Sequence, residues 1–299
     1  MLCVIRPPSR RVLAAMLMLA GGLGRPALAQ LRLGAATDRD RYIAYEPIQL
    51  SLRIRNDSGN ALTFEEYPGR EALRLTCQRD GVLRPETRNA TALIEGLQLA
   101  PGQERVLTVQ INENFTVAKG GRYELTAQIG HPRFRFDFRT QPILFEVLEG
   151  APEWTRELGV PELDDAAPIR DRQVSLLVVP DKPYPIYALQ VRDDEFIYAL
   201  KRLGRRIIAA PPDCDIDAMS NIHILMRLSS RLFVHRVFDY NGGLKQEGFR
   251  VLDNTTPGLY RDPDKGVIRV VGGSAAVEGT DYTILPGGEA TATELAGPQ

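Results

Sequence analysis

The chain has 299 residues, of which 43% are hydrophobic and 25% charged, with a formal net charge of −1. That mix belongs to a folded globular protein and excludes a chain disordered throughout. It leaves no basic footprint for nucleic acid and no polybasic stretch for anionic lipid, and the length allows two domains or one large β fold.

Residues 1–29 read as a signal peptide. Arg6, Arg10 and Arg11 form a basic start, Val12 to Leu23 is apolar, and Ala27-Leu28-Ala29 is a small-x-small cleavage site before Gln30. The apolar run is about 12 residues, short of the roughly 18–20 that a membrane span requires, and no transmembrane segment is expected. Arg10-Arg11 leaves general secretion and twin-arginine export both open. Cleavage removes four Arg and no acid, so the mature chain is more acidic still. The preference for Arg over Lys reads as a bacterial coding sequence, and the expected location is periplasmic or extracellular. Cys3 leaves with the signal. Cys77 and Cys214 remain, one in each half, placed to form a disulfide or to stay as separate thiols.

Residues 30–149 carry strand signals without helices between them. Ile48, Leu50, Leu52 and Ile54 alternate with polar residues, and Asn56-Asp57-Ser58-Gly59-Asn60 supplies turn chemistry. Asp80-Gly81 predicts a hairpin between Leu73–Arg79 and Val82–Arg84. Strands follow at Arg105 to Ile111, Arg122 to Ile129 and Ile143 to Leu148. Arg133-Phe134-Arg135-Phe136-Asp137-Phe138-Arg139 predicts a strand with Phe on one face and charge on the other. Short strands separated by regular turns predict a β-sandwich.

Glu46 to Gly59, the Pro101-Gly102 turn and Gly121-Arg122-Tyr123-Glu124-Leu125 together resemble bacterial extracellular immunoglobulin-like or fibronectin-III-like modules. The resemblance covers residues 30–149 and implies a fold, not an activity.

Residues 150–171, rich in Pro, Gly and acids, read as a linker packed through Trp154, the single Trp. Residues 172–278 read as an antiparallel β domain: a meander, a small barrel or a propeller-like sheet. Val174 to Val179 is followed by hairpins turning at Arg192 to Glu195, at Ser229-Ser230 and at Asp262 to Gly266. Residues 279–299 read as a disordered tail. The fold class is thus all-β, an immunoglobulin-like sandwich followed by an antiparallel β domain.

Function is less legible. No nucleophile elbow, P-loop, dinucleotide fingerprint or zinc-protease motif is present, so no cofactor and no catalytic residue is assigned. Arg133, Arg135 and Arg139 could form a binding face for a partner or an acidic glycan, with Trp154 a further candidate. A two-residue turn at Ser229-Ser230 sets His223 opposite residue 236, which puts His235 on the other face; a three-residue turn reverses this. Asp239 to Gly243 and Asp262 to Gly266 resemble the opening of a calcium loop but lack the spacing of its later acid, so they read as turns. The leading expectation is a non-enzymatic envelope protein that binds a protein partner. One alternative is a hydrolase built from Asp193, Asp194, Asp239 and His223. Another is a proteinase-inhibitor-like module with a protruding loop at Thr87 to Leu97.

Overall fold

The computed structural model describes residues 30–81, 86–160, 171–285 and 290–292. The signal segment, the predicted strand at Val82–Arg84 and much of the predicted tail lie outside the described residues. The described chain is all-β.

Its first unit contains β1 (Leu31–Thr37), β2 (Arg41–Ile43), β3 (Gln49–Asn56), β4 (Leu62–Thr63), β5 (Leu73–Arg79), β6 (Glu86–Asn89), β7 (Gln98–Leu99), β8 (Glu104–Gln110), β9 (Gly121–Ile129), β10 (Phe138–Arg139) and β11 (Ile143–Leu148). One sheet has the order β1-β3-β8; the other runs β2-β11-β9-β5-β6, with β10 beside β9. β2 joins β11 in parallel and the other pairings are antiparallel. The alternation read in the sequence decides the layering. Leu50, Leu52 and Ile54 of β3 face Leu73, Leu75, Leu125, Phe145 and Val147 of the opposing sheet in one core. Each fully buried aliphatic side chain contributes about 1.5–3 kcal/mol relative to exposure, which fixes the register of both sheets.

Asn56 closes β3 from inside the protein. Its Nδ2 donates to the carbonyls of Asn60 and Leu99 at 2.8 and 2.9 Å, and its Oδ1 accepts from Ser58 N and Oγ at 2.9 and 2.6 Å. The buried amide is fully satisfied, so this residue is a structural turn element. The Asp80-Gly81 reading also holds locally, since both residues have positive φ, 54° and 65°.

The second unit follows with β12 (Ala151–Gly159), β13 (Asp171–Val179), β14 (Ile186–Arg192), β15 (Ile197–Arg205), β16 (Asp213–Ile216), β17 (Ile222–Arg227), β18 (Leu232–Phe238), β19 (Leu244–Val251), β20 (Gly258–Arg261), β21 (Ile268–Val271), β22 (Ser274–Ala275), β23 (Tyr282–Ile284) and β24 (Ala290–Ala292). Two meanders, β12-β13-β14-β15 and β16-β17-β18-β19-β22, form its main sheets. Val174, Leu176, Leu189 and Val191 of the first meet Ile222, Ile224, Met226 and Val234 of the second in a shared core. The three predicted hairpins fall in three different sheets, and none of the sheets closes into a barrel.

Three expectations are corrected. The stretch read as a linker contains β12, an edge strand paired along β13 from Ala151 to Gly159. Pro152 is tolerated there because it lies near the start of an edge strand, at a bulge before Trp154. The tail begins inside structure, with β23 paired to β24. Residues 132–137 form a loop instead of a strand, and only Phe138–Arg139 joins β9.

The units are joined by apolar and ionic contacts. β13 is buried on both faces: Leu177 and Val179 point away from its own core and pack with Ile43 and Leu148 of the first unit. Beside them Arg202 on β15 grips Glu46 with Nε and a terminal nitrogen, both at 2.9 Å, and reaches Asp181 at 2.9 Å. Arg41 closes the ring on Asp181 at 2.5 Å and on Glu146 at 3.0 Å. With Arg39 also on Glu46, at 2.7 Å, three cations face two inner carboxylates, each carboxylate side chain 12% exposed.

Candidate functional site

Two arrangements stand out, one in each unit. The first is the 131–139 loop, which carries the arginines singled out in the sequence. Phe134 is buried and packs edge-on against Phe138 at 5.2 Å between ring centroids. Arg70 pairs with Asp137 and donates to the Phe134 carbonyl at 3.1 Å, while Gln128 donates to Asp137 at 2.7 Å. The loop is thereby pinned at both ends. Phe136 is left 71% exposed, with the Arg135 guanidinium 5.4 Å from its ring centroid. Arg133 lines a cleft of about 430 Å³ with Gln30, Asp57, Ser58, Gly59, Asn60 and Phe134. Arg139 donates to Gln128 at 2.9 Å. Trp154 does not belong to this face; it packs against the core of the second unit.

His131 starts the loop in an aromatic cage of Phe64, Tyr67 and Phe134. Its Nε2 donates to the Thr63 carbonyl and its Nδ1 accepts from Arg133 N, both at 3.2 Å. Burial pushes its pKa below the ordinary 6.5, and the Arg133 and Arg70 charges act in the same direction. A folded-state pKa below the unfolded value means that the unfolded chain binds the proton first. Stability from this group is therefore complete above about pH 6.5 and is lost as pH falls through the folded pKa. His131→Gln should flatten the decline in the urea midpoint between pH 7.5 and pH 5; an unchanged decline would remove His131 as its source.

The second arrangement corrects the histidine geometry. The β17–β18 connection is a three-residue turn, Ser229 to Arg231, closed by Leu228 N donating to Leu232 O at 2.8 Å. His223 consequently faces Val237, and His235 faces Leu225, which places both imidazoles on one face of the sheet. His223 Nδ1 lies 3.1 Å from His235 Nε2, and His223 Nε2 lies 3.2 Å from Asp217 Oδ2. Asp217 is held in its turn by Asn221 N, Asn221 Nδ2 and Met219 N, each at 2.8 Å. Burial opposes its ionisation, but these hydrogen bonds and His223 together hold its carboxyl below the usual range. Burial, with His223 and Arg250 adding to it, holds His235 down at about 4. Bonding assigns the tautomers: His223 donates from Nε2 to the carboxylate and accepts at Nδ1 from His235 Nε2–H.

Among the described residues the carboxylate that bonds His223 is Asp217, and none of Asp193, Asp194 and Asp239 is hydrogen-bonded to that imidazole. Asp193 accepts from Glu195 N, Phe196 N and the Tyr198 hydroxyl, and Asp194 is exposed. Asp239 Oδ1 accepts from Asn241 N and Gly243 N at 2.8 Å. Asp262 Oδ1 similarly accepts from Asp264 N and Lys265 N, so both calcium-like segments use their first acid to build a turn. The predicted inhibitor loop is also absent: Glu86–Asn89 is a strand, and Ala90, Thr91 and Ile94 are buried. Cys77 and Cys214 are free thiols in separate cores, and burial pushes each up to about 12.

These features define an all-β protein of two joined sandwiches. No protein-family model matches the chain, and no curated protein does. Among solved structures it is similar to the CARDB domain of a Pyrococcus furiosus protein, solved in complex with di-metal ions. That match has 15% identity and a TM-score of 0.24, covering 40% of this chain and 86% of that one. It is also similar to Spo0M, a sporulation control protein from Bacillus subtilis, at 10% identity and a TM-score of 0.28, covering 59% of this chain and 91% of that one. Among the described residues no helix is long and apolar enough to cross a membrane.

Proposed function

We propose that this chain is an exported, non-enzymatic protein of the bacterial envelope that binds a protein partner through the 131–139 loop. The observation that carries the reading is Phe136, held 71% exposed on a loop whose other aromatic residues are anchored in the core. An exposed aromatic ring beside Arg135, on a loop that also carries Arg133, has the composition of interface hot spots, and pinning the loop beforehand reduces the entropy lost on binding. The complementary surface would offer an apolar socket rimmed by carboxylates. Export is supported by the basic start, the apolar run and the small-x-small site. Leu31, two residues past Ala29, is already buried as β1 opens.

The test is a crosslinked pull-down from the native envelope with the chain from Gln30 as bait, run beside the Phe136→Ala variant. One protein captured by the parent chain should be lost by the variant, with affinity for the purified partner falling about 30-fold or more. Equal capture by both baits would remove the loop as the binding face. Mass analysis of the protein from its native source should place the N-terminus at Gln30.

A further inference from the structure

We propose that His223 Nδ1 and His235 Nε2 form a chelating site for one divalent transition-metal cation of the Cu²⁺ and Zn²⁺ class. The two nitrogens lie 3.1 Å apart with ring planes 25° from one another, close enough for one cation to bridge them. A cation about 2.0–2.1 Å from each nitrogen would subtend about 100° at that spacing, an angle that tetrahedral and tetragonal sites accept. The rings must tilt in their planes to aim at it. His235 has the freedom to do so: it is half-buried, and opposite it on β19 stands Gly248, where an added Cβ would meet nothing within 4 Å.

The support behind the pair is independent of the pair itself. Metal-bound imidazoles commonly donate their second nitrogen to a carboxylate, which fixes tautomer and ring direction. His223 does this through Nε2 to Asp217, itself immobilised by three donors from its own turn. This leaves His223 Nδ1 without its own proton and aimed at His235.

Binding replaces a shared proton by a cation. The His235 Nε2–H bond breaks, solvent returns that proton to Nδ1 of the same ring, and both Nε2 of His235 and Nδ1 of His223 then donate lone pairs. The cation loses two waters and keeps others. Among the described residues no group of three or more His, Cys, Asp or Glu side chains is gathered to hold a metal, so water completes the coordination. The surrounding charge is mixed. Asp217 favours a cation, as does Asp215 opposite His223, although Arg261 engages Asp215. Lys245, bonded to Asn221, and Arg250 oppose it. An imidazole pair under these conditions selects metals high in the Irving–Williams order over Mg²⁺ or Ca²⁺.

The experiment is a Cu²⁺ titration of the untagged chain from Gln30, read by electron paramagnetic resonance, with Zn²⁺ as competitor. One equivalent of Cu²⁺ should show hyperfine splitting from two imidazole nitrogens and be displaced by excess Zn²⁺. His235→Gln, at a half-buried position, should abolish that signal while circular dichroism and melting stay unchanged. Asp217→Asn should keep the two-nitrogen signal but weaken binding about 10- to 100-fold. His131→Gln, in the other sandwich, should leave affinity unchanged. A Cu²⁺ affinity undiminished in His235→Gln, a parent spectrum without imidazole nitrogens, or no binding would each overturn the site.

Discussion

Replacing Arg202 with methionine should destabilise the folded chain by about 3 kcal/mol and split its unfolding into two steps. The guanidinium lies across the joint, using three nitrogens on Glu46, Asp181 and the Arg41 carbonyl. Burial would lower its pKa, but the two carboxylates outweigh that and raise it. Removing one member of a buried ionic cluster typically costs about 3–5 kcal/mol, because the remaining charges stay desolvated. The low end applies here, since Arg39 still reaches Glu46 and Arg41 still reaches Asp181, at 2.7 and 2.5 Å. Arg202→Lys keeps the charge but loses the two-pronged grip on Glu46, and should cost about 1–2 kcal/mol. Urea denaturation followed separately in the two units distinguishes the outcomes. The parent chain should unfold in one transition, because Leu177 and Val179 pack on Ile43 and Leu148 beside the ring. A single transition with an unshifted midpoint in Arg202→Met would show that the apolar contacts alone hold the joint.

This joint left no trace that sequence reading can use. Arg41 and Asp181 are 140 positions apart, and Arg202 and Glu46 are 156 apart. Isolated charges at such distances look like ordinary surface residues. The strands were far more legible, because alternation and turn residues act within a few positions. Leu50, Leu52 and Ile54 announce the inner face of β3, and the apolar run from Val174 to Val179 announces a strand buried on both sides. Alternation also misled at Arg133 to Arg139, where period-two spacing is perfect. There Asp137 is drawn to Arg70 and Phe134 is drawn into the core, so tertiary contacts bend the segment into a loop. The histidine pair turned on one residue. Ser229, Ser230 and Arg231 instead of two turn residues bring His235 to the same face as His223, and parity admits no intermediate outcome.

Gly242→Ala should destabilise the second sandwich by about 3 kcal/mol. Asp239 to Gly243 connects β18 to β19 and folds back onto the opposing sheet. Gly242 N donates to Asp239 O at 2.9 Å, and Arg172 clamps the turn through the Tyr240 carbonyl at 2.7 Å. Gly242 has φ +79°, and a Cβ there would lie 2.2 Å from Ala199 Cβ on β15. The left-handed conformation costs an alanine about 1–2 kcal/mol, and overpacking adds about 1–3 kcal/mol. The two contributions are separable. Ala199→Gly removes the atom that the new methyl strikes, so Gly242→Ala in that background should retain only the conformational part. A double-mutant cycle should then return a coupling of about 1–2 kcal/mol. Gly258→Ala serves as the control, because an added Cβ there meets nothing within 4 Å and should change stability by less than about 1 kcal/mol. Zero coupling between positions 199 and 242 would mean that the turn moves away from β15 at little cost. The close approach of turn and sheet would then not be what closes this end of the sandwich.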